Sequence, residues 1–219
     1  MTRLRINVGC GDTPTSGWIN FDNSFSIIIA KLPLFLARLL LFFRVIIKVQ
    51  YQYIVFIKDS SIRYGNILKG LPIHDNSIEV LYSSHMLEHF DSDEAEIFCQ
   101  EAHRILIPGG IIRIVVPDLT LKVNEYSEHK DANLFIDSLN ICIPKPKTFI
   151  NKIYYGFFNS YRRHQRMYDH KSLEILLKRN RFVDIQSIES GDTMIADPGS
   201  LNLRENESES LYIEAKKAL

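Results

Sequence analysis

Residues 83–90, Ser-Ser-His-Met-Leu-Glu-His-Phe, gather His85, Glu88 and His89 within five positions. If a helical turn begins at His85, the spacing i, i+3, i+4 puts all three side chains on one face. Two imidazoles and a carboxylate so placed can hold a divalent cation and leave coordination places for water or a substrate hydroxyl. A neutral imidazole, with an unperturbed pKa near ~6.5, is also the usual side chain for taking a proton from a hydroxyl near neutral pH. A general base at His85, a metal site, and a plain hydrogen-bonded pair on a helix face are all compatible with this spacing. Asp118, just after Pro117, is either a carboxylate that orients His85 or a helix N-cap. Tyr168 precedes another helical stretch, where Asp169 caps and Tyr168 can face an acceptor pocket.

A second group carries no acid–base chemistry but suits a ligand. At Gly9-Cys10-Gly11 an apolar run stops, and Asp22 follows about a dozen residues on. Two missing side chains let backbone approach a ligand closely, and a carboxylate at the next strand end can accept both ribose hydroxyls. A dinucleotide site prefers a third glycine that packs a helix onto the strand, where this chain has Pro14. Only about six residues separate Gly11 from Trp18, too few for a full helical crossover, so the first helix is one turn or absent. Pyrophosphate normally uses a helix N-terminus. Loss of that terminus argues against a dinucleotide and favours a ligand lacking phosphates, a description that S-adenosylmethionine meets. Cys10 between the glycines packs rather than reacts, since no base adjoins it.

The elements that must position these residues are legible in outline. Residues 4–9, 18–22, 78–84 and 111–116 read as strands. Between the last two, Ser92 caps a helix, Ile97, Phe98, Ala102, Ile105 and Leu106 fall at helical spacing, and Pro-Gly-Gly ends it. Strand, helix and strand make a right-handed parallel unit. Residues 119–139 and 171–180 read as helices, and "VDIQSIES" and "SESLYIEAKK" as an antiparallel edge pair.

Two segments interrupt this core. Residues 26–57 are strongly apolar but carry Lys31, Arg38, Arg44 and Lys48, with no acid between Asp22 and Asp59. Those charges argue against a membrane span, which wants ~20 residues with few charges. As one helix at about 100° per residue, 26–48 gathers its cations within roughly 140°. It is either a lid or oligomer contact packed on the core, or a surface for peripheral membrane contact or for covering a lipid-like substrate. Residues 144–168 mix cations with aromatics, a surface that is either merely solvated or able to hold sugar faces and anions.

At 219 residues, 46% hydrophobic and 24% charged, the composition is that of one globular domain spanning 1–219. Zero formal charge speaks against general nucleic-acid binding. Three scattered cysteines and a start without an apolar signal segment place the expected compartment in the cytoplasm, with the inner membrane face as a peripheral station.

"INVGCG", "GWINFDN", "LPIHDNSIEVLYSSHMLEHF", "EAHRILIPGGIIRIVVPDL" and "MYDHKSL" together resemble the class I S-adenosylmethionine-dependent methyltransferases of the type 11 (UbiE-like) group. Within it they are most similar to a small branch that often accompanies bacterial surface-polysaccharide synthesis. The resemblance implies an α/β fold, a Rossmann-like seven-stranded, mostly parallel sheet with the last strand antiparallel. Three layers α/β/α, a shortened first helix and the two insertions at 26–57 and 144–168 complete it.

It also implies that Gly9, Cys10 and Gly11 line the methionine part of the cofactor and that Asp22 holds the ribose. Asn66 and the Ile67 backbone would meet the adenine, with Asn66 in place of the family's common Asp, and Ser83 and Ser84 would lie beneath the cofactor. Some type 11-like O-methyltransferases pair Glu-x-x-Glu-His with a distant His. Here His85 replaces the first Glu, which makes His85, Glu88, His89 and His164 the candidate metal set. The expected reaction is O-methylation of a sugar hydroxyl in a polysaccharide or lipid-linked precursor, with His85, Asp118 and Tyr168 as catalytic candidates. RNA or a small lipophilic metabolite as acceptor, or a non-catalytic binding module, are the alternatives.

Overall fold

The computed structural model describes residues 4–141 and 163–219. Cys142 and positions 144–162 of the basic-aromatic segment lie outside the described residues. Seven strands form one sheet: β1 (Leu4–Val8), β2 (Ile19–Asp22), β3 (Ile62–Tyr64), β4 (Ile78–Ser84), β5 (Leu106–Pro117), β6 (Phe182–Ile188) and β7 (Ser210–Lys217). Their order is β3-β2-β1-β4-β5-β7-β6. Strands β1 to β5 pair parallel, and β7 runs antiparallel to both β5 and β6. The helices are α1 (Phe25–Ala30), α2 (Leu34–Phe42), α3 (Lys48–Lys58), α4 (Ser92–Ile105), α5 (Leu119–His129), α6 (Ala132–Ser138) and α7 (His170–Arg179).

No helix joins β1 to β2. Two buried asparagines close that connection instead: Asn7 Nδ2 donates to Thr13 O and Thr15 Oγ1, while Asn20 Oδ1 accepts from the Thr15 N–H and its Nδ2 donates to Thr15 O and Trp18 O. Side-chain amides thus satisfy backbone groups that a helix would have satisfied internally. The connection stays short enough to bring Gly11 and Asp22 into contact.

Side chains alternate across the strands, and the two faces have different covers. Ile6, Leu81, Ile114 and Ile213 pack with Phe98 and Ala102 of α4 and Leu173 and Leu177 of α7. On the opposite face Val80, Tyr82, Val115 and Tyr212 lie under Trp18, Ile195 and Leu201, the last two from the irregular segment between β6 and β7. A fully buried ion pair straps this segment down. Arg113 Nη1 lies 2.5 Å from Glu214 Oε1, and Glu214 also accepts from Thr193 Oγ1 and the Met194 N–H at 2.6 Å each. Arg113 donates in turn to Asp192 O and Leu203 O. Breaking a buried pair strands one charge without a partner, so Glu214→Leu is expected to lower unfolding free energy by about 3–5 kcal/mol. Urea denaturation reads this directly, and a loss below about 1 kcal/mol would show that the pair does not hold the segment.

Several local expectations are corrected. Asp91, not Ser92, caps α4: its carboxylate accepts from the Asp93 and Glu94 N–H groups, and Glu94 reaches back to the Asp91 N–H. Ile97 is exposed, and the buried face of α4 is Ala95, Phe98, Cys99, Ala102 and Ile105. Pro-Gly-Gly does not end the helix but forms an irregularity inside β5, where pairing jumps from Ile78↔Leu106 to Val80↔Ile111. The stretch 119–139 is two helices, parted at Lys130 in the left-handed region (φ 54°). Residues 26–48 are not one helix: Pro33 starts a new one, and Arg44, with φ 57°, turns the chain toward α3.

Candidate active site

The parallel strands β1 to β4 bring their carboxyl ends to one rim, where open α/β sheets bind ligands. Gly9 through Gly11, Asp22, Asn66 with Ile67, and Ser83 all stand there. Ser83 pairs in register with Val8, one residue before the glycine corner. The Gly65 N–H donates to Asp22 O at 3.0 Å, which sets Asn66 just beyond the end of β2.

The corner is held by backbone bonds. The Gly9 N–H donates to Phe21 O at 2.8 Å. The Gly11 N–H donates to Asp22 Oδ2 at 3.1 Å, and the Ser24 N–H to Asp22 Oδ1 at 2.7 Å. Both glycines have positive φ, 71° and 50°. They differ in surroundings: a Cβ at Gly9 would lie 2.3 Å from Met86 Sδ, whereas at Gly11 nothing stands within 4 Å. Position 9 is thus tied to Met86, and position 11 faces open space. Gly9→Ala should cost roughly 1–3 kcal/mol of stability through overpacking and a strained φ, with partial recovery when Met86→Ala is added. An unchanged denaturation midpoint in the single variant would dismiss the contact.

Burial raises the Asp22 carboxyl above its usual range, against the lowering effect of the Ser24 and Gly11 N–H groups. Burial, reinforced by Asp22, pushes the Cys10 thiol up to about 12. Cys10 is therefore an uncharged packing group at neutral pH. The side chain of Asn66 accepts from the Leu68 N–H at 3.0 Å, capping a short 3-10 turn, and Ile67 is buried in the core. Tyr53, on α3, donates its hydroxyl to Gly11 O at 3.0 Å. Nothing in the local sequence marks Tyr53 or Met86 as neighbours of this corner.

One strand further along the rim, His85 leaves β4 with φ 47°, its N–H bonded to Val115 O. Its Nδ1 lies 3.5 Å from Glu88 Oε1, and its Nε2 lies 3.1 Å from Ser210 Oγ and 3.0 Å from Asn206 Nδ2. A carboxylate beside Nδ1 favours the tautomer with the proton there, and that leaves the Nε2 lone pair to accept.

Glu88 is 1% exposed, and neither of its carboxylate oxygens has a hydrogen bond among the described residues. Its Oε1 lies 3.9 Å from both His89 Nε2 and His164 Nε2. Glu88, His89 and His164 each offer a donor atom within 4.8 Å of the others, and His85 stands outside that mutual group. Of the four candidate ligands the structure thus gathers three. Burial lowers the His164 pKa, opposed by Glu88, so this ring is neutral at neutral pH with a lone pair to give. The Gln165 and Arg166 N–H groups bond to Glu88 O, which fixes His164 in place across the chain.

Asp118 caps α5 by accepting from the Thr120 N–H, and the carboxylate found beside His85 is that of Glu88. Tyr168 is 2% exposed and packed in the core, so its ring faces protein and not an acceptor cavity. Ser84 ends β4, paired with Val115.

Residues 48–114 match the family model of a methyltransferase domain. No curated protein matches the sequence. An S-adenosylmethionine-dependent methyltransferase from Methanosarcina mazei is similar in structure at 16% identity and a TM-score of 0.53, covering 98% of this chain and 92% of that one. A second, from Archaeoglobus fulgidus, gives 12% identity and a TM-score of 0.51 over 98% and 86%. At such identities the likeness is one of fold, and the fold is that of the class I methyltransferases.

Proposed function

We propose that this enzyme, an S-adenosylmethionine-dependent methyltransferase by domain and fold, methylates a hydroxyl of a saccharide in a surface-polysaccharide or lipid-linked precursor. The observation that carries the oxygen acceptor is His85, with Glu88 behind its Nδ1 and its Nε2 turned to two hydroxyl- or amide-bearing side chains, one strand from the glycine corner. The saccharide assignment rests on the sequence resemblance. Peripheral contact at the inner membrane face through residues 26–48 would give access to a lipid-linked acceptor.

The corner fits the cofactor. Open space at Gly11 admits its methionine part, Asp22 offers acceptor oxygens for ribose hydroxyls, and Asn66 with the Ile67 backbone borders the adenine position. When bound, the cofactor supplies a methyl group on a positively charged sulfur. The chain's part is to hold the acceptor oxygen in line with that methyl group and to remove its proton. His85 Nε2 takes the proton, and the Glu88 carboxylate stabilises the imidazolium that results. The acceptor hydroxyl takes the place at Nε2 now filled by Ser210 and Asn206. The buried Glu88 carboxylate, without a hydrogen bond among the described residues, also fits a divalent ion with His89 and His164 as its partners. Such an ion would act as a Lewis acid that makes the acceptor hydroxyl easier to deprotonate.

Labelled methyl transfer to polysaccharide precursor, lipid extract and RNA, run side by side, tests the acceptor. Label in the saccharide fraction supports the proposal, and label confined to RNA or free lipid replaces it. Calorimetry with S-adenosylmethionine tests the cofactor site, and Asp22→Ala should weaken binding by about 10–100-fold, the loss of one or two charge-assisted hydrogen bonds. Because the Asp22 pKa is raised, protonation on acidification removes an acceptor at a pH above the ordinary carboxylate range, and cofactor affinity should fall there. Stability moves the other way. A raised folded pKa contributes stability at low pH that is lost as pH rises through it, so at neutral pH the charged residue costs the unliganded fold. A wild-type affinity in Asp22→Ala would remove this carboxylate from the site.

A further inference from the structure

Between Asp22 and Asp59 the chain carries Lys31, Arg38, Arg44, Lys48 and Lys58 and no acid. The three helices and the turn between the last two bury Ile27, Ala37, Ile46, Ile54 and Ile57 in one cluster with Cys10 and Ile62, so the unit has a satisfied interior. Its outer surface is nevertheless apolar. Phe42 is 78% exposed, Phe35 and Phe43 are 65% each, and Val49 is 62%, with Leu39 and Ile47 beside them in sequence. Large exposed apolar patches mark contact sites, and here every charge among them is positive. A groove of about 400 Å³ between α1, the end of α3 and β3 repeats the pattern, an apolar floor of Ile27, Ala30, Ile57 and Ile62 with Lys31 and Lys58 at its lining.

No helix among the described residues is long and apolar enough to cross a membrane. The unit has the chemistry of a surface that lies in the headgroup region: aromatic and aliphatic side chains to enter the acyl boundary and cations to meet anionic phosphates. We infer that α2, the turn after it and the start of α3 form a docking face for an anionic lipid bilayer. This deepens the reading of residues 26–48 given above by fixing the lipid charge and the residues that engage it. The face belongs to the same unit as the cofactor corner. Cys10 packs in its interior and Tyr53 of α3 bonds to Gly11 O, so docking holds the glycine corner close to the bilayer, where a lipid-linked acceptor would lie.

Flotation of the full chain with vesicles of phosphatidylcholine alone, or with phosphatidylglycerol added, tests the inference. Binding is expected with the anionic vesicles, falling with added salt. Arg44→Glu and Lys48→Glu should each weaken partitioning by more than the roughly fivefold expected for loss of one cation, and Phe42→Ser with Phe43→Ser should abolish it. All four side chains are exposed, so the thermal midpoint of each variant is expected to stay at the wild-type value and serves as the folding control. Absence of flotation with anionic vesicles overturns the inference, as does equal binding to both vesicle types. A concentration-dependent dimer that Phe42→Ser disrupts, with no vesicle binding, gives the face to a second copy instead. Methyl transfer to a water-soluble saccharide precursor, measured in parallel, separates the two proposals. Transfer without flotation overturns only the docking, and flotation without transfer overturns only the acceptor.

Discussion

His85→Ala is expected to lower turnover by about 10²–10⁴-fold, the usual contribution of a general base, while affinity for S-adenosylmethionine stays within about a factor of two. The split follows from the separation of the two groups along the rim. The glycine corner and Asp22 are bound to each other and to Tyr53, and none of those bonds passes through His85. Among the described residues, the His85 side chain meets Glu88, Ser210 and Asn206. If the ring were only a brace for the start of β7, the loss would appear in the denaturation midpoint and turnover would follow it. As a base, the loss appears in turnover at constant stability, and added imidazole restores part of it. Wild-type turnover in the variant would remove His85 from the mechanism.

The glycine corner was legible because its signals are local. A strand that ends in Gly-x-Gly, with a carboxylate at the next strand end, carries its geometry in about eighteen residues, and the sheet order then sets both at one rim. The spacing of His85, Glu88 and His89 is likewise local, and the distant His164 was found only through family resemblance. What the sequence hides is long-range. Asn206 and Ser210 reach His85 from more than 120 positions away, and Tyr53 reaches Gly11 across 42. No periodicity encodes such contacts. The apolar stretch 26–57 hides its breaks for another reason: its cations fall on one side of a continuous helical wheel whether or not the helix is continuous, so Pro33 and the positive φ of Arg44 decide where one helix stops and the next begins. Asp118 shows the limit of reading a carboxylate by position alone. It caps α5, and the residue that supports His85 comes from three positions further along the same turn.

Glu88→Gln is expected to separate stability from activity. A carboxylate that is 1% exposed and without a hydrogen bond among the described residues is costly to bury. In the metal-free protein, glutamine keeps the shape and removes the charge, so the melting temperature should hold or rise. The wild type, in contrast, should gain stability when a divalent ion is added, by about 2.7 kcal/mol at a hundredfold excess over Kd, and the variant should gain almost none. Turnover should move in the opposite sense. A Lewis acid lowers the barrier by several kcal/mol, so the variant, or the wild type in chelator, should lose about 10²–10⁴-fold, and added ion should restore only the wild type. His85 lies outside the mutual group formed by Glu88, His89 and His164, so His85→Ala should keep the metal-induced stabilisation that Glu88→Gln loses. Indifference of both melting temperature and turnover to chelator and added ion would leave Glu88 as the partner of an imidazolium alone.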